Sequence, residues 1–470
     1  MKNKTFLQYL QDNHIIIDAL CNGQKQCGKC QIKILNRDVD FTEQEKSLLT
    51  QKQMNEKVHL ACCHQYHSND QIVVMNQEMK IIDDIEENLT SVYQGIGVII
   101  DIGTTTIVMK WIERSTGQCI DSVSFINPQV SYGGDVITRI HYQNQNKTTL
   151  LHDVLITSIE EQLLEKAKEV NQIIICGNPT MIHFFLNADV TPLGMAPFEV
   201  PKKDIQRINS QNIFRHYPYN CEIITFPHIS AFVGGDIVSG IYAYDIDKIY
   251  HKVLMVDLGT NGEIVVGNKE GIIVTSTAAG PAFEGVGMSC GGGSISGAIE
   301  NVRLNPIKIE TIHQQKPTCI CGSGYISLLK EMVEKRIISP IGKLINEEEF
   351  YITNHLFINQ NDISNFQLAK AAIQTGISIL LESDEIDTIY IAGGFGSHIN
   401  IDDLKVIQVI PQNIKYAYSI GNSAIKGCYK LLMSQDFQRI HNIINKSKSI
   451  NLADNKDFED MLVESLYFYD

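Results

Sequence analysis

The chain has 470 residues, 44% apolar and 20% charged, which is enough to bury the cores of roughly two to four globular domains. Its formal net charge of −15 argues against nucleic acid and anionic membrane as partners, because phosphate surfaces recruit a basic excess. No apolar run approaches the ~20 residues that span a bilayer, and the N-terminal MKNKTFLQYLQDN lacks the apolar core of a secretory signal. A cytoplasmic location is therefore expected.

Helical spacing of Phe6, Leu7 and Leu10 predicts a helix over Thr5–Asn13, and Ile15–Ile17 reads as a short strand. Then come Cys21, Cys27 and Cys30, a C-x5-C-x2-C loop freed by Gly23 and Gly28, with a distant fourth cysteine at Cys62 in His-Leu-Ala-Cys. Four thiolates suit either zinc or a [2Fe–2S] cluster. A structural zinc site more often shows two C-x2-C pairs, so three close cysteines and one distant one favour the cluster. Cys63 is the alternative fourth ligand. The other cysteines, Cys119, Cys176, Cys221, Cys290, Cys319, Cys321 and Cys428, read as small buried thiols. Asn69–Val74 is expected to close this first domain, and the acidic stretch Met79–Gln94 reads as a linker.

Gly97–Lys110, GVIIDIGTTTIVMK, is a β-branched run ending on Asp101, a glycine turn at Gly103, hydroxyls at Thr104, Thr105 and Thr106, and a returning strand. The same order recurs in Lys252–Gly267: strand, Asp257, then Gly259, Thr260, Asn261 and Gly262, then Ile264–Val266. Such a hairpin presents backbone N–H groups and hydroxyls to a phosphate, and a carboxylate beside it can hold a divalent cation. Between the two lie a helix carrying Val136, Ile137 and Ile140 on one face, an amphipathic helix over Leu151–Val170, a strand at Ile173–Cys176, and a helix-like run Ala231–Tyr244. That last run carries a lone acid, Asp236, 21 residues before Asp257. It reads either as a satisfied structural acid or as a group that orients the attacking water; Asp135 has a similar look with a weaker positional argument. Further on, Gly280 and Glu284 lie in a Gly/Pro/Ala-rich loop, the CGSG turn enters a helix near Ile326, Gln367–Glu382 is helical, and Ile389–Gly396 ends a strand on Gly393 and Gly394. A short strand and helix over Ile450–Tyr469 finish the chain.

The two hairpins and IYIAGGFG together resemble the phosphate-1, phosphate-2 and adenosine segments of the acetate/sugar kinase–Hsp70–actin superfamily, in which an inter-lobe acid near the Asp236 position often activates water. The cysteine spacing looks like that of adrenodoxin-type ferredoxins, with HLAC placing Cys62 rather than Cys63 in the family position. With so few residues before the first helix, the domain looks N-terminally shortened against that type. Over nearly its whole length the chain resembles the reductive activators of corrinoid proteins, through CNGQKQCGKC, HLAC, NPQVSYGGDVITRI, GNPTMIHFFLNADVTPLGMAPF, FPHISAFVGGDIVSGI, VDLGTNGEIVVGN, STAAGPAFEG, CGSGYI and IAGGFG.

That resemblance implies an α/β fold: a two-lobed actin/Hsp70/sugar-kinase-like ATPase preceded by a small α+β, β-grasp ferredoxin-like domain. The expected divisions are 1–78 for the ferredoxin-like domain, 79–95 for the linker, 96–250 for the first nucleotide lobe and 251–470 for the second. It implies ATP, Mg²⁺ and a [2Fe–2S] cluster as cofactors, a corrinoid protein and an upstream electron donor as partners, and leaves room for a homodimer. The implied activity is ATP-dependent return of Co(II) corrinoid to Co(I). The alternatives are a small-molecule kinase with a regulatory metal domain and a nucleotide-binding electron-transfer or sensor protein.

Overall fold

The computed structural model describes residues 4–13, 15, 17, 19, 21, 23–26, 28–49, 51–68, 70–75, 89–166, 168–345, 348–382, 384–393 and 399–469. Cys27, Gly394 and most of the expected linker lie outside the described residues.

In the N-terminal domain Thr5 caps a helix over Phe6–Asp12 through a capping box with Gln8, which satisfies two of the orphan donors at that helix end. The helix lays Phe6, Leu7 and Leu10 on a three-stranded antiparallel sheet, where Gln31–Ile34 runs between Val58–Leu60 and Ile72–Val74. The strand expected at Ile15–Ile17 is not formed by its described residues; the Ile17 backbone is satisfied instead by the Ser131 hydroxyl of the next domain.

Beneath the sheet, Glu45 is fully buried and accepts hydrogen bonds from Thr42 N at 2.8 Å and Leu60 N at 2.8 Å, with His64 Nε2 at 2.7 Å and His59 Nδ1 at 3.3 Å. Burial pushes its carboxyl up, but these histidines and backbone donors outweigh that and hold it well below the usual carboxylate range. A depressed folded-state value gives stability that is present above the ordinary value near ~4 and lost as pH falls below it. Glu45→Gln is expected to lower this domain's stability by about 3 kcal/mol, because it removes the buried carboxylate on which two histidines and two backbone N–H groups converge. Denaturant unfolding followed by near-UV circular dichroism checks it.

Two six-stranded sheets follow, built to one plan. In the first, Gln118–Ile126, Thr106–Glu113 and Ile96–Ile102 form an antiparallel meander, with Val170–Gly177 and Glu222–Thr225 added in parallel and Gln206–Asn209 at the edge. In the second, Ile272–Thr277, Gly262–Gly267 and Val253–Leu258 form the meander, with Thr388–Ala392 and Tyr416–Gly421 in parallel and Ser447–Ser449 beyond Ile272–Thr277. The helices Gly235–Ala243 and Ser423–Ser434 are sandwiched between the sheets. They pack on Ile99, Ile174 and Ile224 from one and Val253, Met255 and Val265 from the other. Among the described residues no helix is long and apolar enough to cross a membrane.

Several boundaries differ from expectation for local reasons. The helix expected over Leu151–Val170 runs Leu150–Glu165, because Val170 is taken by a parallel strand beside Ile96. Ile137 is exposed; the helix Val136–Asn146 buries Arg139 and Ile140 instead. The helix after CGSG begins at Gly322, inside the turn, and Gln360–Leu381 starts earlier than expected through an Asn359–Asp362 capping box. Cys119 is half-buried, whereas Cys176, Cys221, Cys290, Cys319, Cys321 and Cys428 are buried as expected.

Candidate functional site

Asp101 and Asp257 occupy matching places in the two sheets, each near the end of the meander strand that borders the parallel half. Gly103 closes the first hairpin with its N–H donated to Thr106 O at 3.0 Å, and a Cβ there would stand 2.5 Å from that same oxygen, so only glycine fits. In the second hairpin Gly259 N donates to Asn261 O at 3.0 Å. The two turns face each other across a cavity of about 400 Å³, within the ~300–1,000 Å³ usual for small-molecule sites. Gly103, Thr104, Thr105 and Thr106 line one side, and Gly259, Thr260 and Asn261 the other. Asp101, Asp236, Asp257, Glu284 and Gly393 line it as well. Gly393 brings in the third segment: its φ is +128°, and a Cβ would lie 2.3 Å from Leu258 O.

Two expected residues do not line the cavity. Gly262 starts the returning strand, and its missing Cβ makes room for Ile373, whose Cδ1 would be 1.9 Å away. Gly280, at φ +71°, shapes the turn that leads to Pro281 and Glu284. Asp135 caps the helix Val136–Asn146, accepting from Thr138 N at 2.8 Å and Thr138 Oγ1 at 2.6 Å, and also lines the cavity.

The structure adds residues that sequence reasoning missed. Asn178 caps the helix Pro179–Phe185 and donates to Thr104 Oγ1 at 3.0 Å. Asn422 caps Ser423–Ser434 and donates to Asp101 Oδ2 at 2.8 Å, tying the second lobe to the first lobe's aspartate. Both sit in a strand–Gly–Asn–helix turn, Gly177-Asn178 and Gly421-Asn422, a second repeat that was available in the sequence. Arg139, fully buried, donates through Nη2 to Thr104 O at 2.7 Å and braces the hydroxyl turn from behind.

The cavity wall is electrostatically overloaded with acids. Burial pushes Asp101 up to about 6, against the pull of the Asn422 hydrogen bond. Burial and the nearby Asp101 charge push Asp236 up to about 7, although it takes the Ile237 N–H at 2.8 Å in the first turn of its helix. Asp257 goes to about 7 through burial and the charges of Asp236, Asp101 and Glu284. Glu284 reaches about 7 by burial, partly offset by Thr260, and burial with Asp236 and Asp257 pushes Glu263 up too. Oxygen donors that repel one another in this way are a set that a hard divalent cation satisfies.

Carboxyls raised in the folded state give stability that is complete below their ordinary values near ~4 and lost as pH rises through about 7. The protein is therefore expected to melt lower at about pH 8 than at about pH 6, and a divalent cation bound among these carboxylates would recover more of the loss at the higher pH. Differential scanning calorimetry at the two pH values checks both signs.

In the N-terminal domain Cys21, Cys30 and Cys62 come together, with Cys30 and Cys62 nearly fully buried. A hydrogen bond with Cys30, burial and the charge of Cys21 push the Cys62 thiol far above its ordinary value. Cys63 Sγ lies 3.9 Å from Cys62 Sγ, is half-buried, and is pushed up to about 12 by burial and Cys62. Three soft donors held this closely, with Gly23 at φ +79° and Gly28 at φ +65° turning the loop around them, fit an iron–sulfur cluster whose positive iron would relieve their repulsion.

This domain bridges the lobes. Ser131 Oγ donates to Ile17 O at 2.8 Å and accepts from Ile17 N at 2.9 Å, and Tyr132 OH donates to Gln11 O at 3.2 Å, all on the first lobe. On the second lobe Lys29 Nζ donates to Gly291 O at 3.1 Å.

Three stretches of the chain match known protein families. Residues 1–66 match a 2Fe-2S iron-sulfur cluster binding domain. Residues 96–249 match the RACo middle region, and residues 251–470 the C-terminal domain of RACo, the ASKHA domain. The corrinoid activation enzyme RamQ of Eubacterium limosum is 32% identical over 421 residues, covering 80% of this chain and 70% of the relative. The [Co(II) methylated amine-specific corrinoid protein] reductase of Methanosarcina barkeri is 24% identical, covering 75% and 72%. A solved structure of a reductive activator for corrinoid, iron-sulfur protein superposes with a TM-score of 0.72 at 25% identity, covering 99% of this chain and 95% of that one.

Proposed function

The chain belongs to the family of reductive activators of corrinoid proteins, and from that premise we propose that it uses ATP to return a corrinoid protein from Co(II) to Co(I). One electron, drawn from a low-potential donor, is delivered per cobalt reduced. The observation that carries this reading is the pairing of two aspartate–hydroxyl hairpins across one acidic cavity with a cysteine-bearing domain fastened to both lobes.

Cys21, Cys30 and Cys62, with Cys27 from the same loop, are the proposed ligands of a [2Fe–2S] cluster. When bound, that cluster supplies one-electron storage, at about −400 mV for plant-type centres. Reduction of Co(II) from such a level is uphill, which gives nucleotide binding a task. Asp101 and Asp257 would hold Mg²⁺, directly or through water. The hydroxyls of Thr104, Thr105, Thr106 and Thr260 and the amide of Asn261 would donate to the phosphates. Asp236, with its carboxyl near 7, suits a group that takes a proton from the attacking water at neutral pH. Closure of the lobes on the nucleotide would move the N-terminal domain, since that domain grips both.

The acidic net charge and the lack of a crossing helix among the described residues suit a cytoplasmic protein whose partner is another protein. The test is ATP hydrolysis by the cluster-loaded protein with and without its corrinoid partner held as Co(II). Hydrolysis that rises with the Co(II) partner supports the reading. A rate indifferent to the partner's presence and oxidation state sinks it.

A further inference from the structure

We propose that Lys29, which lies between two cluster cysteines in the loop, is the cation that meets the polyphosphate in the inter-lobe cavity, so that nucleotide occupancy pulls directly on the cluster loop. This deepens the reading above and rests on the cavity being a nucleotide site.

Charge balance comes first. Asp101, Asp236, Asp257, Glu263 and Glu284 all reach the cavity wall, yet among its described lining residues Lys29 is the one cationic side chain. Arg139, the nearby alternative, is spent on Gly133 O at 2.8 Å and Thr104 O at 2.7 Å behind the first hairpin. A Mg²⁺ held by the aspartates neutralises part of a triphosphate, and an ammonium is the usual complement as a mobile point charge. The N-terminal domain supplies it in place of either lobe.

Placement comes second. Lys29 Nζ rests on a neutral acceptor, Gly291 O, at 3.1 Å, in the glycine-rich loop whose next residues, Gly292, Gly293 and Ser294, also line the cavity. A phosphate oxygen is the stronger acceptor for that ammonium. The backbone of Lys29 is not free to follow: Gly28 is buried against Leu48 at φ +65°, and Cys30 is 1% exposed in the domain core. Drawing the ammonium further than its four-carbon stem can swing therefore strains the segment that holds Cys30. The far side of the domain is pinned to Ser131 and Tyr132, so the strain is not relieved by rotation of the whole domain. By linkage, nucleotide must then alter the cluster loop as much as the cluster loop alters nucleotide affinity.

The test uses the full cluster-loaded chain and Mg²⁺ with a non-hydrolysable ATP analogue. Two readouts are taken: the analogue's dissociation constant, and the rate at which an iron chelator strips the cluster with and without saturating analogue. The variants are Lys29→Met, which keeps the apolar stem, and Lys29→Arg, which keeps the charge. The expected result is an iron-release rate that changes severalfold with nucleotide in the unaltered protein. In Lys29→Met affinity falls about tenfold and the nucleotide effect on iron release vanishes, and both return in Lys29→Arg. Equal affinity in Lys29→Met, or a nucleotide effect that survives there, overturns the role of Lys29 alone. Failure of the unaltered protein to bind the analogue overturns the nucleotide reading of the cavity and this proposal with it.

Discussion

Asp257→Asn is expected to lower nucleotide-dependent corrinoid reduction by at least about 100-fold, the scale seen when one preorganised electrostatic group is removed from a reacting site, while leaving iron content unchanged. Asp257 sits where the second hairpin meets the parallel half of its sheet, opposite Asp101, and its carboxyl is pushed up to about 7 by burial and three neighbouring acids. Removing its charge therefore has two consequences of opposite sign. The proposed cation site loses a negative charge and one of two carboxylate oxygens, and the nucleotide-free protein loses a source of repulsion. The variant should melt higher than the unaltered protein at about pH 8, where the native carboxylate is ionised at a folding disadvantage, and the two should converge as pH falls to about 4, where it is protonated in both the folded and the unfolded chain. A variant that is both inactive and less stable across that range would mean that Asp257 is structural. The iron is carried by a domain with its own core, so its content should not follow the change.

Cys62→Ser is expected to lose most of the chain's iron, whereas Cys63→Ser should keep it. The two thiols are adjacent and 3.9 Å apart; the cysteine spacing allowed either as fourth ligand, and the family resemblance favoured Cys62. Cys62 is the buried one, turned onto Cys30 and within the field of Cys21, while Cys63 stands half-buried outside that trio. Loss of the cluster should also lower the stability of the N-terminal domain, because metal ligation and folding share one free energy. Iron and sulfide assay of the two anaerobically prepared variants separates them; retention in Cys62→Ser and loss in Cys63→Ser would reverse the assignment.

The strand–Asp–Gly–hydroxyl hairpins could be read from the sequence because every part of that signal is local. A β-branched run, a turn that only glycine allows, and a returning run fall within some fifteen residues of each other at Gly97–Lys110 and again at Lys252–Gly267. What escaped is tertiary. Asn178 and Asn422 follow a glycine at a strand end; their second role, touching Thr104 and Asp101, exists once the sheets face each other. Gly262 looked like part of a phosphate turn but is glycine because Ile373, from a helix more than a hundred residues on, fills the space of its side chain. Ile15–Ile17 had the composition of a strand, yet Ser131 satisfies the Ile17 backbone from another domain. Lys29 carried no signal in the sequence, because the cavity it lines is built from residues far along the chain.

The most direct test of the whole account is optical observation of Co(I) formation in the native corrinoid partner, starting from Co(II), with a low-potential chemical reductant, the cluster-loaded chain, and Mg²⁺. Co(I) is expected to accumulate with ATP and not with the non-hydrolysable analogue or with no nucleotide. Co(I) appearing equally fast without ATP, or failing to appear with every component present, would contradict it.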